Sequence, residues 1–107
     1  MDVKREHPRY LIKLPVEIRT GDNKINAITV RVSVKGLFAR SQACFRVGTP
    51  VDMDLYLTDE ISCKLKGIVR YARNMVALKR QNGMGIEFTE TAPKYREFMR
   101  SVEQEKG

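Results

Sequence analysis

Apolar and polar residues alternate with period two along most of the chain. Ile12, Leu14, Val16 and Ile18 share one face of a segment that starts at Leu11, and Lys13, Glu17 and Arg19 share the other. Pro15 has no N–H to give a ladder, which predicts that this first strand lies at a sheet edge or carries a bulge. "TGDN" supplies turn chemistry through Gly21, Asp22 and Asn23. A second strand is predicted over 24–33, with Ile28, Val30 and Val32 on one face and Thr29, Arg31 and Ser33 on the other. "SVKG" is a tight loop in which Gly36 either takes a positive φ or lets another backbone come close. A third short strand begins at Leu37 and Phe38, and "RVGTP" turns the chain again. Val51, Met53, Leu55 and Leu57 alternate with Asp52, Asp54 and Tyr56 in a fourth strand. A long fifth strand covers about 61–71, another lies near 76–79, and "QNG" leads into a last short strand at "MGIEF". Many short strands at near-regular spacing predict a barrel or a sandwich.

The period changes at the C-terminal end. In "TAPKYREFMRSVEQEKG", Tyr95, Phe98, Met99 and Val102 recur at i, i+3, i+4 and i+7, the stripe of a helix that packs on the barrel and ends near Glu105. Thr91 is the expected N-cap, and Pro93 is tolerated in the first turn. At the other end Pro8 holds His7 extended and blocks a helix, so the N-terminal residues read as an arm. The expected organisation is one domain: arm 1–10, barrel 11–88, helix 92–105.

Composition narrows the class. At 107 residues, 42% hydrophobic and 31% charged, the chain has the make-up of a soluble globular domain. No apolar run approaches the roughly 20 residues of a membrane span. "MDVKREHPRY" lacks the apolar stretch of a secretory signal, so the cytoplasm is the expected compartment. Cys44 and Cys63 each stand alone and are expected to be ordinary reduced thiols. The net charge of +7 and pI of about 9.7 favour anionic partners. From Ile61 to Ile86 there is no Asp or Glu, while Lys64, Lys66, Arg70, Arg73, Lys79 and Arg80 all fall there, which predicts a basic half-surface.

Catalytic chemistry is poorly provided for. His7 is the one histidine and lies in the arm, so no Ser-His-Asp or Cys-His set can be assembled. Asp52 and Asp54 read as solubilising surface rather than a metal site, and no phosphate-cradling GxxxxGK[ST] is present. The expectation is a binding protein without catalytic residues or metal. Two polar clusters stand out: Arg5 and Arg9 on the arm, and Arg31, Ser33 and Gly36 at a strand end and its loop. If the arm folds back, they form one cationic pocket; otherwise they are solvated charges. Arginine suits such a pocket. Its fork pairs with phosphate or with O6 and N7 of guanine, and its plane stacks on a base.

These residues resemble the PilZ domain family, bacterial receptors for the second messenger cyclic di-GMP. "REHPR", Arg5 to Arg9, is similar to the family's RxxxR, and "RVSVKG", Arg31 to Gly36, to its [D/N]xSxxG at Ser33 and Gly36. "HPRYLIKLPVEI", "GLFARS", "VGTPVDMDL", "GIVRYAR" and "GMGIEF" extend the resemblance over about residues 4–103. It implies a six-stranded antiparallel β-barrel with a C-terminal helix. It also implies that Arg5 and Arg9 bind guanine edges and phosphates, that Ser33 bonds a guanine, and that Gly36 lets the loop close on the ligand. Arg31 departs from the pattern. The family's Asp or Asn accepts from the guanine N1–H and 2-amino group, and arginine cannot accept.

The resemblance therefore implies a cyclic di-GMP receptor that acts through a protein partner, with weakened binding as the effect of Arg31. The alternative is a degenerate PilZ protein that binds no nucleotide and serves as an adaptor. Nucleic-acid binding by the basic half is the third reading. Tyr71 is the one aromatic in the acid-free segment, so base stacking there is sparse.

Overall fold

The computed structural model describes residues 8–73 and 82–106. Seven strands precede one helix: β1 (Tyr10–Leu11), β2 (Pro15–Thr20), β3 (Asn23–Val32), β4 (Gly36–Ser41), β5 (Pro50–Tyr56), β6 (Ser62–Arg73), β7 (Asn82–Glu90) and α1 (Pro93–Lys106). Every pairing is antiparallel, in the order β3-β2-β5-β6-β7-β4, and β4 pairs back onto β3. Six strands thus close a barrel, which leaves no long free edge among the described residues. The two-residue β1 adds to β3. The expected strand near 76–79 lies outside the described residues, as do Arg5 and His7.

The alternation turns into a core where it is strictest. Val16 and Ile18 of β2, Val51, Met53 and Leu55 of β5, and Cys63, Leu65 and Val69 of β6 all point inward and are buried. Tyr95, Met99 and Val102 of α1 are buried too, and the half-buried Phe98 completes the expected stripe. Burial pushes the Cys63 thiol up to about 11, so it stays protonated at neutral pH.

Three local expectations are corrected. The first strand is broken. Residues 12–14 leave the ladder, and β2 lies between β3 and β5 rather than at an edge. Pro15 is its first residue, before the pairing with β5 begins at Val16, so its missing N–H costs nothing there. Second, Ile28 faces outward at 47% exposure, whereas Thr29 is fully buried. A bulge between Thr29 and Arg31 then restores Val32 to the interior. Thr29 is inside because it repairs the break. Its Oγ1 accepts from the Leu14 N–H at 2.8 Å and donates to the Ile12 carbonyl at 2.6 Å. Thr29→Val keeps the shape and strands both backbone groups, so a loss of about 1–3 kcal/mol is expected in a urea titration. An unchanged midpoint would mean that water replaces the hydroxyl.

Third, Thr91 is not the N-cap. The Ala92 carbonyl accepts from Tyr95 N–H at 3.0 Å and Arg96 N–H at 3.3 Å, so the helix starts one residue later. Thr91 instead takes the Arg96 guanidinium on its hydroxyl and carbonyl oxygens.

A candidate ligand-binding cleft

Two bulges shape one side of the barrel. Val30 is the extra residue between the Thr29 and Arg31 pairings, and Arg70 the extra one between the Val69 and Tyr71 pairings. Each breaks the period-two alternation and re-aims the side chain after it. Arg31 then pairs with Phe38, Phe38 with Gly85, and Gly85 with Tyr71, one cross-strand row over β3, β4, β7 and β6. Arg31 Cζ stands 5.4 Å from the Phe38 ring centre. The Phe38 and Tyr71 rings approach to 6.1 Å over Gly85, which has no side chain to fill the gap.

This row lies in a cleft of about 630 Å³, which Arg9, Ser33, Lys35, Gly36, Arg70, Arg73 and Glu87 also line. The volume is that of an ordinary small-ligand site. Four of the five expected ligand residues therefore meet: Arg9, Arg31, Ser33 and Gly36. Arg5 lies outside the described residues. Lys35, Phe38, Arg70, Tyr71, Arg73 and Glu87 were not anticipated as one site. The basic run 61–86 carried the signal for three of them, but not that they face the motif loop.

The loop holds itself together. Ser33 N–H donates to the Gly36 carbonyl at 2.9 Å, and Ser33 Oγ accepts from the N–H groups of Lys35 and Gly36, both at 3.2 Å. Tyr95 of α1 donates its hydroxyl to the Ser33 carbonyl at 2.6 Å, tying the helix to the loop. Gly36 does not need a positive φ; only Gly21 and Gly48 have one among the described residues. It is needed for the close approach of β7, because a Cβ there would collide with the Ile86 carbonyl oxygen.

The described cations of the basic run divide into two sets; Lys79 and Arg80 lie outside the described residues. Lys64 and Lys66 pair with Asp54 and Asp52 of β5 at 3.2 and 3.8 Å. Asp54 also takes Arg19 at 2.6 Å. Burial pushes its carboxyl up, but the bonds from Arg19 and Lys64 outweigh that and hold it below the usual range. Arg70 pairs with Glu87 at 2.8 Å. Arg9, Arg31, Lys35 and Arg73 have no ion-pair partner among the described residues. The lysines of β6, paired with aspartates of β5, are a poor track for a nucleic-acid backbone, whereas the cleft is compact, cationic and aromatic.

Among the described residues no group of three or more His, Cys, Asp or Glu could hold a metal ion, and no helix is long and apolar enough to cross a membrane. Cys44 and Cys63 are free thiols.

Comparison with known proteins follows the same line. No curated protein matches in sequence. Among solved structures, the Bacillus subtilis inhibitor of motility MotI/DgrA superposes with a TM-score of 0.76 at 18% identity, over 92% of this chain and 48% of its own. YcgR from Escherichia coli in complex with c-di-GMP gives 0.75 at 13% identity, over 95% of this chain and 47% of its own. The PilZ domain of CeSA from a cellulose-synthesizing bacterium gives 0.62 at 21%, over 86% and 89%. The chain thus spans about half the length of MotI/DgrA and of YcgR. These likenesses fix the fold. Family membership rests on the PilZ domain model, which matches residues 3–103, from the arginine arm to the helix that clasps the motif loop. The chain belongs to the PilZ domain family, whose members are binding domains rather than enzymes.

Proposed function

We propose that this protein is a cytoplasmic receptor for cyclic di-GMP. One observation carries the reading: Arg9, Arg31, Ser33 and Gly36 meet in a single cleft whose floor is an aromatic pair flanked by arginines. A cyclic dinucleotide needs both features, cations for two phosphates and flat faces for two bases. In this reading Arg5 and Arg9 close on the ligand from the arm, Arg31 and Arg73 meet its acceptor atoms, and Tyr71 stacks on a base. Ligand binding orders the N-terminal arm and changes the surface offered to a protein partner.

Titration calorimetry with cyclic di-GMP, against GTP and cyclic di-AMP as controls, tests this. Saturable binding selective for cyclic di-GMP is expected, and Arg9→Ala should weaken it by about 10–100-fold, the worth of a charge-assisted contact. Arg9 is exposed, so the melting temperature should not move. Absence of heat at high micromolar ligand would refute the receptor reading. It would favour the adaptor without nucleotide, for which Arg31 and the internally bonded Ser33 hydroxyl speak. A steep fall of nucleic-acid affinity with salt would instead point to the polyanion reading.

A further inference from the structure

The polar groups of the cleft are unequal in kind. The acceptors of the motif loop are engaged, whereas a buried donor of Arg31 is not. Ser33 Oγ already takes two backbone N–H groups. The carbonyls of the loop are also in use: Ser33 by the Tyr95 hydroxyl at 2.6 Å, Lys35 by Phe88 N–H at 2.8 Å, Gly36 by Ser33 N–H at 2.9 Å. Glu87 is the one carboxylate among the described lining residues, and Arg70 Nε neutralises it through its Oε1 at 2.8 Å. On the donor side, Arg31 Nε is buried and has no hydrogen-bond partner. Its guanidinium stands over Phe38, with Cζ 5.4 Å from the ring centre. A buried donor without an acceptor is costly, and a ligand atom that accepts there removes the cost.

We propose that the cleft reads a cyclic dinucleotide through acceptor atoms, the phosphate oxygens and the O6/N7 edge of guanine. Arg31 is the specificity-determining residue, and the guanine 2-amino group goes unread. The proposal rests on the receptor reading above. It has a sharp chemical consequence. Hypoxanthine keeps O6 and N7 and lacks only the 2-amino group, so it should serve as well as guanine. Adenine puts an amino donor where guanine has O6, so it confronts donor with donor.

The test is calorimetry of the wild-type chain with cyclic di-GMP, cyclic di-IMP and cyclic di-AMP, repeated with Arg31→Asn. Cyclic di-IMP is expected to bind within about twofold of cyclic di-GMP, and cyclic di-AMP to be weaker by about tenfold or more. Arg31→Asn supplies an acceptor, so cyclic di-GMP should then exceed cyclic di-IMP by about fivefold or more. If wild-type protein binds cyclic di-IMP about tenfold more weakly than cyclic di-GMP, the 2-amino group is read and the proposal is overturned. Equal binding of cyclic di-AMP overturns it as well, because the O6 edge is then not read. If none of the three binds, the receptor reading falls and takes this proposal with it. The wild-type comparison decides whether or not the variant folds.

Discussion

Gly36→Ala should lose both stability and ligand binding. The added methyl meets the Ile86 carbonyl oxygen, which belongs to the partner strand of the β4–β7 ladder. Backbone cannot step aside as a side-chain tip can. The strands must part where they begin to pair, at a cost in the upper part of the roughly 1–3 kcal/mol range for overpacking. For a domain of this size that is a fall in melting temperature on the order of ten degrees. Function suffers separately. Gly36 donates its N–H to Ser33 Oγ and accepts from Ser33 N–H on its carbonyl, so displacing it opens the loop at the edge of the cleft. Melting followed by circular dichroism and calorimetry with cyclic di-GMP read the two effects. An unchanged melting temperature would show that β4 and β7 can spread there without loss.

Tyr95→Ala is expected to have the larger effect on stability, about 3–5 kcal/mol. Tyr95 is fully buried, sets its ring edge against Phe88 at 5.2 Å, and lies 6.3 Å from Phe98. Removing it takes the anchor of α1 out of the core and leaves a cavity. Tyr95→Phe separates packing from hydrogen bonding. It keeps the ring and strands the Ser33 carbonyl, which should cost about 1–3 kcal/mol. Burial, then the nearby Cys63 thiol, hold the phenol far above its ordinary pKa, so Tyr95 remains a donor throughout the neutral range. Hydrogen exchange at Lys35 and Gly36 should accelerate in Tyr95→Phe more than exchange in β5. If the two rise together, the helix stabilises the barrel as a whole and has no special hold on the loop.

The two variants mark where sequence reading succeeds and where it stops. Tyr95 was legible as a core residue, because a stripe at i, i+3, i+4 and i+7 is written in neighbours on the chain. Its hydroxyl partner was not, because Ser33 lies 62 residues away. Gly36 was legible as a special glycine, with two reasons left open. The register of β4 on β7 selected the close approach.

Local periodicity carried β2, β5, β6 and α1, since each buries one face against one core and each side chain's direction follows from its position. The motif residues Arg9, Arg31, Ser33 and Gly36 were named from order along the chain, as was the family. Closure of the barrel settled the rest. Bulges arise where two strands of unequal count must both pair, so neither strand alone announces them. That is why Thr29 and Ile28 exchanged faces, and why Arg31 came to rest on Phe38. Closure also laid β6 and β7 beside the motif loop, which divided the described cations of the basic run. Lys64 and Lys66 pair with β5, and Arg70 and Arg73 line the cleft. Charge and motif can be counted along a chain. Which cations are paired and which face a ligand depends on contacts between distant strands, and those exist only once the barrel has closed.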